Sequence, residues 1–141
     1  MSVESKISVE QANAAFYRAL ESGVIERMDE VWAHEEWVKC VHPGWDMITG
    51  WQRVRESWMM IFEGDQKMRA SPSEVWVMVA GEMAWVTCTE NITVFNEASF
   101  DSAQAVATNL FINREGRWLM VHHHASPIPV ILPDNSSDII Q

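Results

Sequence analysis

Histidine has an ordinary pKa near neutrality, so its positions are the first places to look for proton transfer. The chain has five. His42 stands just before Pro43-Gly44, at the end of a β-rich stretch, with Cys40 two residues earlier on the same strand face. His42 could act as general base or acid. With Cys40 it could in principle activate a thiolate, although such neighbours stand ~6.5–7 Å apart at Cα. A hydrogen-bonded histidine in a pocket wall is the simpler account. A second group is His122-His123-His124. Alternation puts His122 and His124 on one strand face and His123 on the other. Three imidazoles could hold zinc or iron, but no helical His-Glu motif or carboxylate set accompanies them, and we assign no metal. Capped strand-face histidines or a dimer interface explain them as well. Trp37, Trp45, Trp51 and Trp58 fall within 22 residues. They could clamp a flat ligand; core packing explains Trp51 and Trp58 equally, because Val54 completes a helical stripe with them. Glu90 and Asn91 interrupt one apolar stretch and Asn109 another. Such groups either orient a ligand from inside a cavity or face solvent, and alternation toward solvent is the simpler account.

The elements that must position these residues follow from spacing and punctuation. Ser8 with Gln11 forms a capping box, and Val9, Ala12, Phe16, Ala19 and Leu20 recur at helical spacing up to Gly23. A short second helix buries Val24, Ile25, Met28, Val31 and Trp32. Trp37 to His42 reads as a strand that Pro43-Gly44 ends. Thr49 with Gln52 is a second capping box, opening a helix that buries Trp51, Val54, Trp58, Ile61 and Phe62 before Gly64. Four β-rich stretches follow: Val75 to Val79, Met83 to Phe95, Ala103 to Ile112 and Trp118 to Ala125. Gly81-Glu82 and Asn113 to Gly116 supply hairpin turns. Helices early and strands late predict an α+β fold with an antiparallel sheet.

The chain has 141 residues, which suits one domain, placed at 1–132 with a polar tail at 133–141. Ten Lys and Arg against 20 Asp and Glu give a net charge of −10. That balance argues against nucleic acid and anionic membrane as partners. No apolar run approaches a membrane span, and Met1 to Glu10 has no apolar leader region. Two cysteines make no disulfide framework, so the expectation is reduced thiols in the cytoplasm. Phosphate-binding glycine loops and nucleophile-elbow motifs are absent, so no nucleotide cofactor is expected. Eight Trp and nine Met suggest a bulky core, or one with a cavity.

The element order resembles the nuclear transport factor 2-like superfamily, which includes ketosteroid isomerases, SnoaL-like polyketide cyclases and the calmodulin-dependent kinase association domain. The segments that carry the resemblance are Phe16 to Gly23, Val38 to Gly44, Thr49-Gly50-Trp51, and Trp118 to Pro127, the last closest to the SnoaL-like branch. It covers roughly Ser8 to Pro127. The resemblance implies a cone: a curved sheet around three N-terminal helices, an apolar pocket, and a homodimer formed through the outer sheet face. Ketosteroid isomerases place a carboxylate base before a proline on the first strand, where this chain has His42. They place a tyrosine donor on the first helix, matched here by Phe16, with Tyr17 one step off and toward another face. They place a protonated acid on a late strand, matched near Thr108. A phenyl ring cannot donate a hydrogen bond, so this chain departs from that enzyme's oxyanion site.

These readings combine into one expectation. A small apolar molecule occupies a pocket lined by Phe16, Trp37, Cys40, Trp45, Trp58, Phe62, Thr108, His122 and His124, with His42 as catalytic base. If the protein is an enzyme, its chemistry is isomerase-, cyclase- or hydratase-like acid–base work. The rival expectations are a non-catalytic ligand binder and an oligomerisation module.

Overall fold

The computed structural model describes residues 2–129; the polar tail expected at 133–141 lies outside the described residues. The first helix, α1, spans Val3–Ser22 and buries Val9, Asn13, Phe16, Tyr17 and Leu20 along one stripe. It starts earlier than Ser8. Ser2 caps it, its hydroxyl accepting from the Ser5 N–H at 3.0 Å, so the Ser8–Gln11 box lies inside the helix. Gly23 ends it in the left-handed region at φ 67°, where a Cβ would be strained. The short α2, Ile25–Val31, follows.

Strand β1 is only Lys39–Val41 and pairs with a two-residue β2, Ile48–Thr49. The Thr49–Gln52 capping box does not form. Thr49 belongs to β2, where its hydroxyl accepts from Lys39 Nζ at 3.1 Å, and the cap position of α3, Trp51–Phe62, falls to Gly50. Four long strands complete the chain: β3, Lys67–Ala80; β4, Met83–Phe95; β5, Phe100–Arg114; and β6, Arg117–Pro127. All but β4 outrun the apolar stretches that suggest them, because their ends are polar yet still laddered.

The sheet order is β2-β1-β6-β5-β4-β3. It is mixed rather than antiparallel, because β1 runs parallel to β6. The chain leaves β1 through β2 and α3 and enters the sheet again at the far edge, so β6 returns beside β1 in the same direction. Two irregularities bend the sheet. One interrupts the β3–β4 register between Ser73 and Trp76, where Glu74 has φ 53°. The other lies between β5 and β6: Met120 pairs with Phe111 and His122 with Leu110, leaving Val121 as an extra residue. Such bulges increase curvature and shift the phase of side chains beyond them. The helices fill the concave face, where Phe16, Met28, Trp32, Val54, Trp58, Val86, Phe111 and Met120 form the core.

Candidate functional site

A pocket of about 220 Å³ opens on the concave face. Leu20 from α1, Trp58 and Ile61 from α3, Met68 from β3 and Ile92 from β4 give it apolar walls, and Pro43 and Trp45 close one side. Three polar side chains line it: His42, Glu90 and His123. It adjoins a wider mouth of about 710 Å³ through Leu20, Ile61 and Met68, where Phe62, Lys67 and Arg69 also stand. The Trp58 indole N–H is buried with no protein partner among the described residues.

His42 follows β1 directly and is 2% exposed. Its ring packs edge-on against Trp58 and Trp45, with centroids 4.4 and 4.8 Å away. Its Nε2 lies 2.8 Å from Ser57 Oγ, and that hydroxyl donates its one proton to the Val54 carbonyl at 2.6 Å. Ser57 therefore accepts from His42, which fixes the proton on Nε2 and leaves Nδ1 as the basic nitrogen. Burial pushes the His42 pKa down to about 4, so the ring is neutral at pH 7. Cys40 Sγ sits 3.7 Å from Nε2 and 3.8 Å from Nδ1. Burial first, and then the charge of Glu90, push that thiol up, the opposite of an activated thiolate.

Glu90 projects inward from β4 and is 3% exposed. Burial raises its carboxyl to about 7, against the lowering effect of a hydrogen bond donated by Tyr17 at 2.7 Å. Tyr17 accepts in turn from Asn109 Nδ2 at 3.2 Å, and the same amide nitrogen donates to Asn13 Oδ1 at 2.8 Å. His123 Nδ1 donates to Asn109 Oδ1 at 2.6 Å, and its Nε2 lies 3.5 Å from Glu90 Oε2. Burial pushes the phenol of Tyr17 up and the imidazole of His123 down. The group is buried, and its members are joined to one another.

Residues 9–131 match the SnoaL-like domain family. The chain belongs to the SnoaL-like family. Its solved relatives carry the same nuclear transport factor 2-like cone. One is a proposed dehydratase of that superfamily from Streptomyces avermitilis, 34% identical with a TM-score of 0.82, covering 90% of this chain and 98% of that one. Another, from Thiobacillus denitrificans, is a proposed calcium/calmodulin-dependent kinase type II association domain. It is 28% identical with a TM-score of 0.71, over 85% of this chain and 94% of that one. The F-box protein SKIP8 of Arabidopsis thaliana is 29% identical over 128 residues, which is 91% of this chain and 52% of that protein. The SnoaL-like chain thus spans about half the length of that curated relative.

The structure distributes the expected site residues of this SnoaL-like domain unevenly. His42, Trp45 and Trp58 line the pocket. Phe16 and Cys40 are buried behind it, Phe16 against Trp58 and His123. Phe62 stands at the mouth and stacks on Trp58. Trp37 is 51% exposed and lies outside the pocket. Thr108, His122 and His124 are on the convex face, with Thr108 paired across to Thr87 and His124. The bulge at Val121 explains the histidines: Met120 faces inward, and simple alternation from it would turn His122 and His124 in, but the extra residue turns His123 in instead. Tyr17 is buried beside Phe16 rather than facing away, their rings 4.8 Å apart.

Glu90, Asn109 and Tyr17 are the inward groups that sequence reasoning left in the background, though a signal exists. Ala84, Val86, Cys88 and Ile92 share the inward phase of β4 with Glu90, and Ala105, Ala107 and Phe111 share that of β5 with Asn109. A polar residue in an otherwise apolar phase faces the core. Among the described residues, no set of three His, Cys, Asp or Glu is arranged to hold a metal, and no helix is long and apolar enough to cross a membrane.

Proposed function

We propose that this SnoaL-like protein is an acid–base enzyme that dehydrates, hydrates or isomerises a small, largely apolar carbonyl compound. One observation carries the proposal: a base and an acid line the same apolar pocket with their pKa values pushed in opposite directions. His42 is neutral, its Nδ1 lone pair met by the weakly donating Cys40 thiol at 3.8 Å, and Glu90 retains its proton up to about pH 7. Pairs separated in this way divide the roles of acid and base. The 34% identical relative assigned as a dehydratase supports the same class.

In the dehydrating direction, His42 Nδ1 takes the proton α to the carbonyl. The electron pair forms the carbon–carbon double bond, and the β-hydroxyl leaves as water with the proton of Glu90. Solvent then returns the proton from His42 to Glu90. The pocket volume admits a compound of about ten non-hydrogen atoms at ordinary packing density. The walls of Trp45 and Trp58 favour a flat one.

The test is an absorbance screen of small β-hydroxy and α,β-unsaturated carbonyl compounds. Turnover by the wild type is expected to fall at least ~100-fold in both His42→Ala and Glu90→Gln, each checked for folding. Undiminished turnover in His42→Ala removes His42 as base.

A specific observation also favours self-association. The convex face exposes Trp76, Trp85, Met83 and Val106, and the two tryptophan rings pack at 5.7 Å. We read this face as the contact surface of a homodimer, an idea the resemblance to the association domain supports. Sedimentation velocity at micromolar concentration checks it.

A further inference from the structure

We infer that Glu90 and His123 hold a single proton between them, and that His123 is the positioning residue that keeps Glu90 in its acid form at the pocket wall. This deepens the acid role proposed for Glu90 and rests on it for its catalytic meaning, but the arrangement itself follows from hydrogen-bond directions. Asn109 Nδ2 donates to two oxygens, Asn13 Oδ1 and Tyr17 Oη, which fixes how the amide is turned. Its Oδ1 must then face His123 Nδ1, and a carbonyl oxygen only accepts, so Nδ1 carries the imidazole proton. A neutral imidazole has one N–H. Its Nε2 is therefore a bare lone pair, 3.5 Å from Glu90 Oε2.

With Glu90 ionised, two acceptors would face each other between side chains only 3% and 1% exposed, a costly arrangement. One proton on Glu90 removes the conflict. The donors then run in a single direction from His123 to Asn109, to Tyr17 and to Glu90, whose Oε2 stands 3.5 Å from His123 Nε2, a contact longer than a hydrogen bond. Placing that proton on His123 instead would make an imidazolium in a residue only 1% exposed, beside His42 and with His122 and His124 on the far side of its strand.

Among the described residues, nothing around Glu90 supplies a cation to hold a carboxylate. Helix α1 offers the Tyr17 phenol and Asn13, and β4 itself the Cys88 thiol. Strand β1 and the residue after it offer the Cys40 thiol and a neutral His42. Strand β5 offers Asn109 and helix α3 offers Ser57 and Trp58. Glu90 Oε2 carries the contacts with Tyr17 and His123, which leaves Oε1 without a hydrogen bond among the described residues, on a side chain that lines the pocket. Presenting the proton to a ligand from Oε1 takes it away from His123 Nε2, while Tyr17 stays bonded to Oε2.

Two measurements on the wild-type protein test this without a substrate. Nitrogen-15 NMR of the histidine rings at pH 6 should show His123 as the Nδ1–H tautomer with an unprotonated Nε2. Its signals can be assigned through contacts to the Phe16 ring, whose centroid is 4.7 Å away. An infrared difference between wild type and Glu90→Gln should show a protonated carboxyl band at pH 6 that disappears as pH rises through about 7. In His123→Gln, whose amide can donate to a carboxylate, that midpoint should fall by at least one pH unit, a tenfold change in proton affinity. An Nε2–H tautomer or an imidazolium at position 123 overturns the inference. So does a carboxylate at pH 6, or an unmoved midpoint in His123→Gln. If both signatures appear but no compound is turned over, the shared proton stands and the enzyme proposal fails. Turnover that depends on Glu90 in the absence of the signatures removes the shared proton and leaves the enzyme proposal standing.

Discussion

Three consecutive histidines separate the two faces of one sheet. His123, on the concave side, is 1% exposed and bonded through Asn109 to Tyr17 and Glu90. His122 and His124, on the convex side, lie against each other with ring centroids 6.2 Å apart, and partial burial, then His124, then Lys39 lower the pKa of His122. The apolar groups are distributed the other way. The convex face leaves Trp76 and Trp85 exposed, while the concave face encloses ionisable groups among aromatic rings. Polarity alone therefore does not say which face is inside. A buried polar group is tolerated where each donor finds an acceptor, and an exposed aromatic pair is tolerated where a second surface can cover it.

The largest effect should come from breaking the inner network. Asn109→Leu removes the acceptor of His123 Nδ1–H and the donor to Tyr17 and Asn13, leaving several buried groups unpaired. A loss of about 3 kcal/mol in urea unfolding is expected. The neighbouring Thr108→Val, on the convex face, should change stability by less than about 0.5 kcal/mol. Equal losses at the two positions would erase the distinction between the faces.

The pocket's acid and base leave opposite marks on stability. His42 titrates near 4 in the fold against an ordinary 6.5, so its contribution is complete above 6.5 and is lost as pH falls through about 4. Glu90 titrates near 7 against an ordinary 4.5, so its contribution is complete below 4.5 and is lost as pH rises through about 7. Each is worth about 3 kcal/mol at full extent. Between pH 4.5 and 6.5 the two slopes oppose each other. Glu90→Gln removes one of them. The variant should match wild type below pH 4.5 and exceed it by up to about 3 kcal/mol above pH 7, measured by denaturant unfolding across that range. A constant difference at all pH values would mean that Glu90 is not titrating in the fold.

The helices and strands were legible because their signals are local and repeated, whereas the cone followed from the resemblance of their order to the nuclear transport factor 2-like superfamily. Helical spacing in Val9 to Leu20, the glycine at 23 and the hairpin turn at Gly81 each fixed an element. Strand β4 emerged with the expected limits, Met83–Phe95. The parallel pairing of β1 with β6 was not legible, because register between strands some 80 residues apart leaves no local mark. His42, which lines the pocket, drew notice as a histidine and as the residue that the resemblance matches to the base position before Pro43. His123 was missed because its face depends on one extra residue at Val121, and a bulge is a property of two strands together. Glu90 and Asn109 were visible only as polar residues in an apolar phase. Which phase faces inward is decided by the helices on the other side of the sheet.

A smaller effect concerns the outer tryptophans. Replacing Trp76 and Trp85 together by Ser should leave the monomer folded and weaken self-association about 30-fold or more, since truncated aromatic anchors typically cost ~2 kcal/mol or more at an interface. Sedimentation equilibrium of variant and wild type reads this directly, and a wild type that is monomeric at high micromolar concentration would remove the convex face as a contact surface.

The smallest effect isolates the histidines themselves. His122→Gln with His124→Gln alters two of three adjacent imidazoles, yet both sit where water reaches them and neither is a member of the inner network. Monomer stability should move by less than about 0.5 kcal/mol. His123→Gln, one residue away from each, should lose more than that, because it removes the buried ring that packs against Phe16 and Trp58. The contrast depends on the phase set at Val121. If the double substitution were the more damaging of the two, β6 would have to be threaded without its bulge, with His122 and His124 pointing inward and His123 out.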